Sequence, residues 1–350
     1  MIDTHCHLDV PAFADDVDAV VARATAAGVI GMLVPAIRPS MWPALAALVE
    51  RHRAAGLRLA IGVHPQIVPE LAPGEIGGIE STHDASAGVE RERAHAASGA
   101  KSERVHAATG AESERILEAD VDIDAVAAWI ARAATAYRAV AIGECGLDGA
   151  TDEMPRQVAL FRAHIRAARI TGLPLVIHVL RAHDLAPRVL REELARPLRN
   201  SVRQADSENR GPSPVSSLAD SDNRGPSPVS SARRIVGVLH SYSGGADLVD
   251  VYRELGLAFS FAGPVSYANA RKPVEAARAI PPELLLAETD APDQAPEGHR
   301  GGRSEPAFVA AVIAGLAEAR RTTAEEIAAL TTANAKRIFR TWHAGESSRE

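Results

Sequence analysis

Cysteine, aromatic residues and long apolar runs are scarce in this chain of 350 residues. The only two cysteines, Cys6 and Cys145, do not indicate a disulfide framework, and we interpret both as small packing residues. Aromatic residues make up 4% of the chain, so no platform for base stacking is visible. No apolar run approaches the ~20 residues that cross a bilayer, and the first residues lack the pattern of a secretory signal. We therefore expect a cytoplasmic protein that acts away from membranes.

Positive charge is also in short supply, because the formal net charge is -7. A protein that binds nucleic acid by broad charge neutralisation needs a strongly basic surface, so the charge balance argues against that mode. A local basic cleft stays possible, and so does an enzyme that holds a phosphate through metal ions. The length and the apolar content of 46% predict a soluble globular protein with a sizeable core.

Short β-branched segments alternate with longer helical segments, which is typical of parallel βα units. The helical segments include 15–28, which stops at Gly28, and 121–137. Eight strands are predicted: Met1–Thr4, Val29–Pro35, Leu57–Val63, Ala139–Gly143, Leu175–Ile177, Ile235–Leu239, Leu257–Phe261 and Leu284–Thr289. Eight such units predict an α/β fold, a (β/α)8 TIM barrel, with a doubly wound open sheet as the alternative.

Two tandem duplications interrupt this rhythm. Segment 80–116 repeats RERAHAASGAK as SERVHAATGAE, and segment 200–233 repeats DSENRGPSPVSS as DSDNRGPSPVSS. Neither offers enough apolar surface to offset ordering, so we predict a mobile insertion at 80–116 and a disordered one at 200–233, within one barrel domain over 1–345. The first follows strand three on the active face of a barrel, where a lid and a plain loop expansion are both open.

Six of the eight predicted strands end in a side chain that can bind a metal ion. His5 and His7 lie two residues apart, so in a strand their side chains share one face. The other candidates end later strands in the motifs GVHP, IGECGLD, VIHVLRAHD, LHSYSGG and AETDAP: His64, Glu144, His178, His240 and Asp290. The carboxyl ends of barrel strands meet on one rim, so these side chains are predicted to converge.

This set is predicted to hold two divalent ions that activate a water molecule for hydrolysis. The predicted ligands fall into two groups around a bridging Glu144: His5, His7 and Asp290, and His178 and His240. Asp290 would orient the water or take its proton, and His64 would contact the phosphate or the leaving oxygen of the substrate. Glu288 is expected to support the ligands from behind. Imidazole and carboxylate ligands together suit Zn, Mn, Fe or Ni better than an all-oxygen Mg or Ca cage would, without fixing the metal.

Six motifs, in this order, resemble the TatD family of metal-dependent deoxyribonucleases: THCHLD, IGVHP, IGECGLD, LPLVIH, LHSYSGG and LLLAETDAP. The resemblance runs from Met1 to about Phe339, where NAKRIF is similar to the family's closing motif. It implies a TIM barrel of the amidohydrolase superfamily that binds two Mg, Mn or Zn ions and hydrolyses DNA as a 3′→5′ exonuclease. The family's metal ligands fall on the six residues predicted above, and its GVHP histidine falls on His64.

The chain departs from the family pattern in two places. Gly149, Ala150 and Thr151 stand where family members often have an aromatic and a basic residue, and Arg181 follows His178 by three residues instead of two. Candidate phosphate contacts are nevertheless Arg181, Arg300 and Arg303, although solvated loop arginines are an equal alternative. Tyr242, beside His240, is a candidate contact to substrate, as is Tyr267. We expect six other histidines to be solvated: His52, His83, His95, His106, His164 and His343.

Only three lysines occur, Lys101, Lys272 and Lys336, and none lies on a predicted strand. This excludes a metal site bridged by a carbamylated lysine at the end of strand four, where Glu144 stands. An esterase, a lactonase or a deacylase acting on a small molecule or an aminoacyl-RNA stays open, and so, more remotely, does a non-catalytic scaffold. The predicted partner is a DNA substrate; the sequence indicates no membrane and no obligate protein partner, and leaves the oligomeric state open.

Overall fold

The computed structural model describes residues 1–72, 75–76, 121–197 and 236–343. Eight parallel strands form one sheet in chain order: β1 (Ile2–Asp3), β2 (Gly31–Pro35), β3 (Leu57–Ile61), β4 (Ala141–Asp148), β5 (Leu175–Leu180), β6 (Gly237–Leu239), β7 (Leu257–Phe261) and β8 (Leu285–Ala287). The α-helices in these ranges are α1 (Val17–Ala26), α2 (Trp42–Arg51), α3 (Ile123–Ala136), α4 (Met154–Thr171), α5 (Ala186–Ala195), α6 (Val249–Glu254), α7 (Lys272–Ala279), α8 (Val309–Arg320) and α9 (Ala324–Phe339). None of them is long and apolar enough to cross a bilayer.

Backbone hydrogen bonds just beyond β1 and β8 close this sheet into a barrel. The Asp290 N–H donates to the carbonyl of His5 at 2.9 Å. The His7 N–H donates to the carbonyl of Ala291 at 2.7 Å. These bonds and the strand order confirm the predicted (β/α)8 TIM barrel, in which all strands point their carboxyl ends toward one rim.

The core follows from strands that are covered on both faces. Every residue of β2 and of β7 is buried, as expected for parallel strands between a packed interior and a helical layer. The helices end where the sequence allows a reversal: α4 stops at Gly172, whose φ of +72° suits glycine. Helix α9 starts at a capping box formed by Thr323 and Glu326.

Strand β4 differs from its prediction. It continues to Asp148, whereas the sequence predicted an end at Gly143. Its register against β5 shifts between Ile142 and Cys145, an irregularity of the kind that redirects side chains beside active sites. Glu144 therefore lies inside the strand instead of following it. The two duplicated segments, 80–116 and 200–233, lie outside the described residues, and their mobility stays a prediction.

Candidate metal centre

Glu144 lies at the centre of the rim and is completely buried. Its Oε2 atom lies 3.1 Å from His5 Nε2 and 3.4 Å from His7 Nε2. Its Oε1 atom lies 2.7 Å from His240 Nε2 and 3.2 Å from His178 Nδ1. The two oxygens of one carboxylate thus face the two groups of histidines separately, which is the arrangement that a bridging ligand requires.

Asp290 joins the group around Oε2. Its Oδ1 atom lies 3.7 Å from His5 Nε2 and 4.0 Å from His7 Nε2. Its Oδ2 atom accepts a hydrogen bond from the side-chain amide of Gln294, which leaves Oδ1 directed at the histidines. The donor atoms of His5, His7 and Asp290 are close enough together to hold one ion.

The spacing of these atoms fits ligands around a cation. Nitrogen or oxygen ligands at roughly 2.1 Å from a tetrahedral ion lie about 3.4 Å apart, and the Nε2 atoms of His5 and His7 are 3.1 Å apart. Both side-chain oxygens of Glu144 are buried and make no hydrogen bond within the described ranges. Buried polar atoms without partners are rare in proteins, so this carboxylate fits a metal-binding role.

The charges of the cluster also favour a cation. Burial lowers the pKa of His5 to about 4, so its imidazole is neutral and a lone pair is available. Burial disfavours a charge on His7 as well, but the carboxylates of Glu144, Asp290 and Asp9 outweigh it and raise the pKa of His7 to about 9. These carboxylates hold on His7 a proton that a bound cation would displace.

His64 lies against the second group of ligands, but the ring nitrogen that it directs at Glu144 carries a proton. Its Nε2 atom lies 2.8 Å from Glu144 Oε1, close enough for the pair to share an ion with His178. However, its Nδ1 atom accepts the backbone N–H of Gln66 at 3.1 Å, so a neutral ring carries its proton on Nε2. Burial lowers the pKa of His64, which favours that neutral ring. His64 thus offers an N–H donor to an oxygen rather than a lone pair to a metal.

The family model described as TatD related DNase matches residues 2–340. The chain belongs to the TatD family. YabD of Bacillus subtilis (strain 168) is 33% identical over 215 residues, 61% of this chain and 70% of that protein. YjjV of Escherichia coli (strain K12) is 27% identical over 341 residues, 97% of each chain. Both relatives carry the name uncharacterized metal-dependent hydrolase.

A solved structure supports the same conclusion at the level of the fold. The crystal structure of Escherichia coli YjjV, described as a TatD homolog, superposes with a TM-score of 0.67 at 25% identity and covers 97% of this chain and 98% of that chain. The predicted family and barrel are confirmed, and the chain is a metal-dependent hydrolase of the TatD family.

Asp148 orients a candidate ligand of this TatD-family site, a role that was not predicted from the sequence. His178 Nε2 lies 3.2 Å from Asp148 Oδ2, while its Nδ1 atom faces Glu144. Gln66 also donates its side-chain amide to Asp148 Oδ2 at 2.8 Å. Burial alone would raise the pKa of Asp148, but its hydrogen bonds, led by the one with His178, lower the pKa to about 2. An ionised Asp148 keeps the proton of His178 on Nε2 and leaves Nδ1 free for an ion.

Glu288 plays a comparable part behind His240. Its Oε1 atom accepts the backbone N–H of Ser241 at 2.5 Å and lies 3.7 Å from His240 Nδ1. It is completely buried, one layer deeper than the rim, where the sequence predicted a supporting carboxylate. Its spacing to His5 and His240 would also permit a bond to an ion.

The three candidate phosphate contacts differ in the contacts that their guanidinium groups already make within the protein. Arg303 donates to both carboxylate oxygens of Asp16 at 2.8 Å and to Glu305 at 2.8 Å, so its guanidinium is engaged by carboxylates. Arg300 is half exposed and lies over the ring of Tyr267, 4.1 Å from its centroid. Arg181 is exposed and has no hydrogen-bond or ion-pair partner among the residues in view. Their contacts to substrate stay predictions.

Two other side chains, Tyr242 and His164, are buried. Tyr242 is buried and donates its hydroxyl to the carbonyl of Gly245 at 2.8 Å. His164 is completely buried in α4, and its expected exposure to solvent was wrong. Its Nε2 atom accepts the Val63 N–H at 3.0 Å, and its Nδ1 lies 2.7 Å from the Leu160 carbonyl. His164 follows Leu160 by four residues, so the helical period could have placed it on the buried face.

Proposed function

We propose that this TatD-family hydrolase cleaves DNA phosphodiesters as a 3′→5′ exonuclease and uses two divalent ions, Mg, Mn or Zn. The proposed ligands are the six predicted from the sequence: His5, His7, Glu144, His178, His240 and Asp290. The observation that carries the proposal is the division of the Glu144 carboxylate, whose oxygens face one group of histidines each. The description of the matching family, TatD related DNase, supports the choice of substrate.

Two bound divalent ions would lower the pKa of a water molecule and polarise the phosphoryl group. Asp290 is placed to accept the proton of that water, because its Oδ1 atom faces the cluster and Gln294 holds its other oxygen. The water oxygen bonds to phosphorus, and the bond from phosphorus to the leaving sugar oxygen breaks. His64 is placed to donate its Nε2–H to a phosphate oxygen or to that leaving oxygen.

The exposed guanidinium of Arg181 adds support for a phosphate substrate, because such groups bind phosphate oxygens through paired hydrogen bonds. A small-molecule ester, a lactone or an aminoacyl group would be attacked at the same centre, and the test below separates these substrates. A scaffold without catalysis is disfavoured, since burying two carboxylates and four histidines together destabilises a fold that makes no use of them.

The test uses purified protein that is loaded with Mg, Mn or Zn. Its substrates are a labelled single-stranded DNA and, in parallel, a panel of esters, lactones and amides. We expect release of mononucleotides by the wild type and its loss in Glu144→Gln and in Asp290→Asn. Glu325→Gln, an exposed glutamate on α9, is the matched control and should leave activity unchanged. Nucleotide release that survives both site substitutions would reveal a contaminating nuclease. Turnover of the ester panel alone would replace the DNA proposal with the alternative.

A further inference from the structure

A cavity of about 190 Å³ opens beside the metal centre, among the segments that follow β6, β7 and β8. None of the six proposed ligands lines it. Sites that enclose a whole drug-sized ligand measure about 300–1,000 Å³, so this space suits one ring system of a larger substrate. It lies on the rim where the active sites of barrel enzymes lie.

The cavity shares a wall with the metal centre. Gln294, which lines the cavity, donates its amide to Asp290 Oδ2 and lies 2.6 Å from the hydroxyl of Ser241. Ser241 also lines the cavity, and its backbone N–H donates to Glu288. One side chain therefore separates the cavity from Asp290, so a substrate cleaved at the centre would place its neighbouring group here.

The lining of the cavity combines apolar walls with a positive charge. Phe261, Val265 and the ring of Tyr242 form apolar surfaces, and the Gln294 amide adds hydrogen-bonding capacity. Lys272 stands at the start of α7, is exposed, and has no ion-pair partner in the described part of the chain. The lining thus matches a planar ring with apolar faces and a polar edge that is attached to a negatively charged group.

We propose that this cavity receives the 3′-terminal nucleobase of the DNA strand and that Lys272 attracts the flanking phosphates, an inference that rests on the proposed function. A nucleobase has apolar faces for Phe261 and Val265 and a polar edge for Gln294. Every base shares these faces, so the cavity would raise affinity for a strand end without strong sequence preference.

The first test compares two substrates with the wild-type protein and its metal. One single-stranded DNA ends in a normal nucleotide, and the other ends in an abasic deoxyribose. Losing a stacked base should lower kcat/KM by about tenfold to a hundredfold. Equal cleavage of both would overturn the cavity proposal and leave the proposed nuclease function intact. Cleavage of neither would overturn both, so the two failures are distinguishable.

The second test uses variants and a readout that needs no cleavage. Binding of a labelled oligonucleotide is measured over a range of salt concentrations, in the presence of a chelator that prevents cleavage. Lys272→Gln should reduce the salt slope by about 0.7, the value for one phosphate contact on a single strand. Lys336→Gln removes the same charge close to the Met1 amino group and should leave the slope unchanged. Equal slopes for both variants would overturn the part assigned to Lys272.

A third variant fills the cavity. Val265→Phe should lower kcat/KM for the DNA that ends in a normal nucleotide and leave kcat/KM for the abasic DNA unchanged. The difference in kcat/KM between the two substrates should therefore disappear. A retained difference in a folded Val265→Phe protein would contradict the placement of the base. If this variant does not fold, as judged by circular dichroism, the comparison of substrates on the wild type still decides.

Discussion

Glu144 and Glu193 are both completely buried in this barrel, yet their surroundings differ. Glu193, on α5 in the outer helical layer, accepts hydrogen bonds from Arg166 at 2.9 and 3.0 Å and from Arg162 at 3.1 Å. Glu144, at the rim, faces imidazole nitrogens at similar distances, but neither of its oxygens makes a hydrogen bond within the described ranges. Burial is equal in the two cases, and only the partners distinguish them.

The difference teaches how to recognise function in a buried charge. A carboxylate that is paired with guanidinium groups in fixed geometry contributes to the fold and has no capacity left for a ligand. A carboxylate held among imidazoles without hydrogen bonds stays ready for a cation that is not part of the chain. Glu193 should therefore matter for stability and Glu144 for chemistry, and each can be tested separately.

The largest effect is expected for Glu144→Gln. Hydrolysis should fall by at least about 10³-fold, because an amide cannot replace a carboxylate that serves both groups of ligands. Elemental analysis should show less bound metal per protein. Full metal content in this variant would show that Glu144 is not a ligand.

The opposite pattern is expected for Glu193→Gln. Its free energy of unfolding in urea should fall by about 3 kcal/mol, because two arginines lose the buried partner that neutralises them. Hydrolysis and metal content should match the wild type. The adjacent Glu192→Gln is a stringent control: Glu192 pairs with Arg162 at 2.6 Å but is half exposed, so its loss should cost less than about 1 kcal/mol. Similar losses for both variants would mean that burial of the pair is irrelevant.

Much of the fold and of the candidate site could be predicted from the sequence. The eight strands and the convergence of the rim residues follow from hydrophobic patterning and from the rule that parallel strands end on one face. Asp148 was missed, although Glu144, Gly146 and Asp148 alternate along β4 and so share a face. The register shift before Cys145 leaves no mark in the pattern, because it depends on pairing with β5.

Contacts between residues that lie far apart in the chain could not be predicted from the sequence. Arg303 was a candidate phosphate contact, but its guanidinium meets Asp16, 287 residues earlier. Which nitrogen of His64 or His178 faces the centre likewise depends on contacts that only the folded chain supplies, with Gln66 and Asp148. A local sequence pattern predicts which residue types lie at the rim. Their protonation and their hydrogen-bond partners depend on contacts that form only in the folded chain.

A smaller effect is expected for Asp148→Asn, which keeps Glu144 and alters only the support of His178. An asparagine does not fix the proton of His178 on Nε2 as an ionised carboxylate does, so metal affinity should fall by about tenfold to a hundredfold. Competition with a chromogenic chelator measures this affinity directly. Asp152→Asn, an exposed neighbour in the same loop, is the matched control. Unchanged metal affinity in Asp148→Asn would show that Asp148 does not support metal binding through His178.

The smallest effect is the pH dependence of the Glu193 contribution. Burial alone would raise the pKa of Glu193, but hydrogen bonds and charges of Arg166 and Arg162 outweigh it and lower the pKa. A carboxyl whose pKa is lower in the folded state stabilises the protein above its unfolded pKa, about 4.3 for glutamate, and loses that contribution as the pH falls toward the folded pKa. The difference in unfolding free energy between the wild type and Glu193→Gln should therefore be constant from pH 7 to pH 5 and shrink below about pH 4.3. Other titrating groups affect both proteins alike, so they cancel in this difference. A difference that does not change with pH would mean that Glu193 acts through shape instead of charge, and the contrast with Glu144 would lose its electrostatic basis.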